Sequence, residues 1–170
     1  ILALAKKCEE FDPNGITVYL FSDSFQRHDK LVSSQVTQLF ENLFESHTPS
    51  GGTNLIPVLQ HAINDYFERK ALGQAMTSGE TILVLTDGEP LPSLGLSDVI
   101  INTTHRMEHE EELAISFIQA GSDAKATQFF KALDDLLQGI GAKFDICDTV
   151  TLEDMEEMPL TDVLLNAIVD

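Results

Sequence analysis

Cations are scarce in this sequence: ten Lys and Arg stand against twenty-eight Asp and Glu, a formal net charge of −18. A chain so poor in positive charge has no surface for neutralising phosphates, which argues against nucleic acid and against anionic membranes. Long apolar runs are missing too, and none approaches the length that crosses a bilayer. Ile1 to Ala5 is apolar but runs straight into Lys6, Lys7 and Glu9. Without a charged segment before it or a small-residue cleavage site after it, no secretory leader is expected there. There is no low-complexity stretch, no fixed-period repeat and no linker, so the 170 residues are expected to form one domain. Cysteine is limited to Cys8 and Cys147. Each sits in an apolar pattern and is expected to be a buried free thiol, a usage that suits a reducing cytoplasm.

Signatures of covalent catalysis are also lacking. No G-x-S-x-G occurs and no Cys–His pairing is suggested. The paired glycines Gly51-Gly52 are not followed by lysine, which excludes a P-loop.

What the sequence does have is alternation. Ile1–Phe11 carries a helical apolar stripe, stopped by the four turn residues Asp12-Pro13-Asn14-Gly15. Ile16–Phe21 is β-branched and aromatic and reads as a strand, with a shorter extended piece within residues 25–31 folding back on it. Ser33–Phe44 is helical. A helix over Leu55–Leu72 takes Pro57 in its first turn, where the missing N–H costs nothing. Thr81–Thr86 is continuously apolar, as strands buried on both faces of a parallel sheet are. Further elements are expected as a helix over 97–112, a strand over 115–119, a helix over 124–139, a strand over 144–148 and a helix over 160–169. Strands alternating with helices of this length imply an α/β fold with a mostly parallel sheet, right-handed crossovers, helices on both faces and one antiparallel edge strand. Ligands of such sheets bind at the carboxyl ends of the strands.

Two motifs fall in those loops. In Ser50-Gly51-Gly52-Thr53-Asn54-Leu55 the glycines permit close approach of backbone to a ligand, and Thr53 and Asn54 sit at a helix start. Ordinary N-capping explains Thr and Asn there equally well. In Leu83-Val84-Leu85-Thr86-Asp87-Gly88-Glu89 a carboxylate follows an apolar strand, a placement shared by metal sites, phosphate sites and plain loops.

Taken together, Gly-Gly-Thr-Asn-Leu, a helix, and an apolar strand ending Thr-Asp-Gly resemble the von Willebrand factor A family. Phe11-Asp12-Pro13-Asn14-Gly15, Ala114-Ile115-Ser116-Phe117-Ile118-Gln119 and Phe144-Asp145-Ile146-Cys147-Asp148-Thr149-Val150 look like a bacterial and fungal intracellular branch of it. The resemblance implies a doubly wound, Rossmann-like sheet and a protein-binding module rather than an enzyme. It implies a metal-ion-dependent adhesion site in which Thr53 and Asp87 hold Mg²⁺ or another divalent cation, with Gly51, Gly52, Asn54 and Gly88 shaping the loops. The cation would bridge to an acidic side chain of a protein partner. The family also uses Asp-x-Ser-x-Ser after its first strand. That motif is absent, since Ser22-Asp23-Ser24 has the wrong spacing. The chain is therefore expected to lack the family's first, central strand, which would lie between Ile16–Phe21 and Thr81–Thr86, and to present an incomplete metal site. Two other readings stay open: a phosphoryl-transfer or receiver-like protein using Asp87, and a metal-free scaffold.

His105-Arg106-Met107-Glu108-His109 matches H-x-x-E-H, an inverted zinc-peptidase pattern. Helical geometry puts Ile100, Thr104 and Met107 on the buried face and both histidines toward solvent, so no zinc site is expected there. The acidic runs Glu110-Glu111-Glu112 and Glu153-Asp154 with Glu156-Glu157 read as solvated surface.

Overall fold

In the computed structural model the described residues are 2–46, 54–90, 93 and 95–151. They are α/β and fall into two compact units, Ile1–Gly52 and Thr53–Asp170. No helix among the described residues is long and apolar enough to cross a membrane.

The first unit holds helix α1 (Leu2–Phe11), the antiparallel strands β1 (Ile16–Phe21) and β2 (Phe25–Leu31), and helix α2 (Ser33–Ser46). The turn residues end α1 as expected: the Asn14 and Gly15 amides donate to the Asp12 carboxylate and carbonyl at 3.0 and 3.2 Å. Gly15 has φ +92°, and a Cβ there would lie 2.7 Å from the Lys30 carbonyl carbon, so only glycine fits. Val36 and Ala5 are buried where α1 and α2 pack on each other. The Glu9 carboxylate of α1 accepts the Ser33 amide at 2.9 Å, satisfying an orphan donor at the start of α2.

The second unit begins with helix α3 (Leu55–Ala71), then strand β3 (Glu80–Thr86), helix α4 (Leu96–Arg106), a 3₁₀ turn at Glu110–Glu112, strand β4 (Leu113–Gln119), helix α5 (Ala124–Leu136), a 3₁₀ turn at Gln138–Ile140 and strand β5 (Cys147–Thr151). The three strands are parallel in the order β3-β4-β5. β4, in the middle, is buried at all seven positions. Phe130 of α5 stacks on Phe117 of β4 with ring centroids 5.0 Å apart, and the Thr149 hydroxyl donates to the Phe130 carbonyl, seating α5 on the sheet.

Ion pairs pin the amino ends of the strands. Arg69 near the end of α3 grips both Glu80 oxygens at 2.6 and 2.7 Å and donates to Asp65 at 2.7 Å. Lys70 donates to Glu112 at 2.9 Å, just before β4. Gly79 makes the close approach there: a Cβ would lie 2.0 Å from the Glu111 carbonyl oxygen.

Two expected boundaries are corrected. The strand anticipated over 144–148 runs instead over Cys147–Thr151, because the preceding amides find acceptors off the ladder. Lys143 N–H goes to Thr104 Oγ1 and Asp145 N–H to Glu110 Oε1. The helix anticipated over 97–112 stops at Arg106, where Met107 turns extended (ψ 148°) and buries its side chain. The expected α/β character is present: among the described residues the second unit holds three parallel strands, and in the first β1 pairs antiparallel with β2. Smaller adjustments trim α5 at Leu136 and extend α2 to Ser46. The helix anticipated over 160–169 lies outside the described residues.

Candidate functional site

The carboxyl ends of β3 and β4 form one neighbourhood, because the parallel register pairs Thr86 with Gln119. The Ala120 amide then donates to the Thr86 carbonyl at 2.7 Å, and a Cβ on Gly121 would lie 4.0 Å from the Asp87 carbonyl oxygen. The loops after the two strands therefore run side by side.

Each loop is tied by a buried polar side chain. Thr86 Oγ1 donates to the Gly88 carbonyl at 3.1 Å, closing a tight turn around Asp87. Gln119, fully buried, donates through Nε2 to the Asp123 carbonyl at 3.0 Å and accepts from Thr127 Oγ1 at 2.9 Å. Asp123 caps α5 by accepting the Lys125 amide at 2.9 Å. These side chains fix the backbone on either side of Asp87 while Asp87 itself is exposed. No ion pair or hydrogen bond engages its carboxylate among the described residues. The turn thus displays a hard anionic oxygen donor at the edge where α/β sheets bind ligands.

Of the other sequence candidates, Gly88 belongs to the Thr86 turn, and Asn54 occupies the N-cap position of α3 without making a side-chain capping bond. Gly51, Gly52 and Thr53 lie outside the described residues. Thr86 and Gln119 are organisers that the motif reading passed over. The one signal was their polarity at the ends of apolar strands.

The histidines of H-x-x-E-H go to different partners. His105 Nε2 lies 2.9 Å from the Gly141 carbonyl oxygen. His109 lies with Glu108 and Glu112 in a group whose ligand atoms all fall within 4.8 Å of one another. That group is already used structurally. Glu112 accepts the Glu108 and His109 amides, both at 3.1 Å, and the Lys70 ammonium. Burial opposes ionisation of Glu112, but these donors outweigh it and hold its pKa below the ordinary value.

A further acidic group lines α5 and β5. Partial burial, and then the neighbouring Asp148, Asp135 and Asp145 charges, push Asp134 up to about 6. Complete burial, and then the charges of Asp145, Asp134 and Asp148, raise the Cys147 thiol well above its usual value. Cys8 is raised as well, chiefly by burial, but is half-buried rather than enclosed as expected. Both cysteines are free thiols.

The sequence matches no family model and no curated protein.

Proposed function

We propose that this chain is a von Willebrand factor A-like binding module rather than an enzyme, and that it engages a protein partner through a divalent cation held in part by Asp87. The observation that carries the reading is the display of Asp87: an exposed carboxylate, without a cationic neighbour among the described residues, on a turn fixed by Thr86 at the end of a parallel strand. Its donor chemistry fits Mg²⁺, which takes hard oxygens in an octahedral shell and keeps water where the protein leaves gaps. Thr53 would add a hydroxyl. One carboxylate and one hydroxyl hold such an ion weakly, and an Asp-x-Ser-x-Ser loop, which the sequence does not contain, would complete the set. A partner's carboxylate entering the shell would then be joined to Asp87 by the ion that separates two mutually repelling charges.

The second unit supports the same reading: its parallel strands β3-β4-β5, joined through α4 and α5, are the kind of sheet that family uses. The protein is accordingly expected to act in an aqueous compartment such as the cytoplasm.

The test is a calorimetric and NMR titration with Mg²⁺ and Mn²⁺. Weak, saturable binding that broadens the Asp87, Gly88 and Gly121 resonances with Mn²⁺, and that Asp87→Ala abolishes, is the expected outcome. Binding that survives Asp87→Ala, or broadening centred elsewhere, would remove the reading. A covalent phosphoryl group trapped on Asp87 would replace it with phosphoryl transfer.

A further inference from the structure

α3 and α4 run alongside one another in the same direction. A Cβ on Gly95 would lie 3.6 Å from the Ile56 side chain at one end, and Arg106 bonds Asn64 at the other. Between them is a groove of about 390 Å³, within the range of about 300–1,000 Å³ usual for ligand sites. Ile56, Ile63 and Val99 line it with apolar surface, and the carboxamides of Gln60 and Asn102 line it with donors and acceptors.

Its two ends carry opposite charge. Asp98 lies in the first turn of α4 and Arg106 in the last. Arg106 is held unusually for so acidic a chain. Of the three arginines, Arg27 pairs with Asp29 and Arg69 with Asp65 and Glu80. Arg106 meets no carboxylate among the described residues. Its Nη1 donates to Asn64 Oδ1 at 2.9 Å, and its guanidinium carbon sits 3.9 Å over the Phe67 ring. Ring and amide hold the planar group by neutral contacts and leave donors for an incoming anion, the arrangement in which arginine reads a carboxylate best.

We infer that this groove binds an extended peptide segment of a protein partner, with a carboxylate side chain on Arg106, a basic side chain on Asp98 and an aliphatic side chain between them on Ile56, Ile63 and Val99. The spacing selects the register. Eight residues of α-helix rise about 12 Å, and four residues of extended chain advance about 13 Å. Positions four apart in an extended chain project from the same face, and the position between them does so too. The net charge of −18 opposes a purely anionic ligand, whereas a segment with one charge of each sign is nearly neutral to that field. The exposed carboxamides suit the peptide's own backbone groups. Asp87 is not among the described residues that line this groove, so peptide binding here does not depend on a cation at Asp87.

The test is an NMR titration of the full chain with the peptide N-acetyl-Lys-Ser-Leu-Ser-Glu-amide. Saturable shifts at Gln60, Asn64, Asn102 and Arg106 are expected, with a dissociation constant on the order of 1 mM. Replacing the peptide's glutamate by glutamine should weaken binding about tenfold, since a charge-assisted bond is lost. Arg106→Gln should remove that discrimination, and Arg106→Lys should retain only part of it. Absence of saturable binding in that range, equal binding of the glutamine peptide, or discrimination that persists in Arg106→Gln would each overturn the inference. The peptide comparison leaves the protein unaltered, so it stands even where a substitution perturbs folding.

Discussion

Asp134 shows how one carboxyl can work against the fold it belongs to. Its pKa is about 6 in the folded chain against 3.8 for an unperturbed aspartate. The folded state therefore holds this proton more tightly than the unfolded chain does. Well below 3.8 the group is protonated in both states and costs nothing; the penalty grows as pH rises through that value and is complete above about 6. Asp134→Asn keeps an acceptor for the Thr149 amide and removes the charge. Its stability advantage over the parent chain should be near zero at about pH 3 and reach on the order of 1 kcal/mol at about pH 7, allowing for solvent screening of a half-exposed group. Urea denaturation of both chains across that range checks it, and a constant difference would show that Asp134 does not titrate as described. Cys147, enclosed beside this cluster, is chemically quiet for the same reason: burial and the surrounding negative charge both oppose the thiolate.

Among the elements, α5 depends most visibly on one side chain. Phe130 is fully buried and stacks on Phe117. Phe130→Ala should cost about 3–5 kcal/mol, much of it as the cavity left between α5 and β4. Chemical denaturation measures this, and a loss below 1 kcal/mol would mean that the helix is held otherwise. Elements such as β1, α3, β3 and β4 were legible in the sequence because their apolar runs and turn residues act locally. Asp12-Pro13-Asn14-Gly15 ends α1 through its own backbone and carboxylate, for example. The misplaced boundaries have non-local causes. β5 starts at Cys147 because Thr104 and Glu110 capture amides some 35 residues and more away. At the candidate site Asp87 and Gly88 were legible from their place after a strand. The Arg106–Asn64–Phe67 arrangement was not, since it exists only once α3 and α4 are side by side. Thr53, Gly51 and Gly52 lie outside the described residues.

At the scale of the whole molecule, the two units differ in how their hydrogen bonds are shielded. The hairpin of β1 and β2 is a two-stranded ladder, and none of its residues is fully buried. β4 is flanked on both sides by parallel partners and is closed to solvent throughout. In heavy water, the backbone protons of Ile115 to Ile118 should therefore be the last to exchange, opening only when the second unit unfolds as a whole, while those of β2 exchange by local fraying. Comparable rates in the two strands would contradict this. The middle strand then serves as an internal clock: its isotope exchange times the rarest excursions of the chain, and so measures global stability without denaturant.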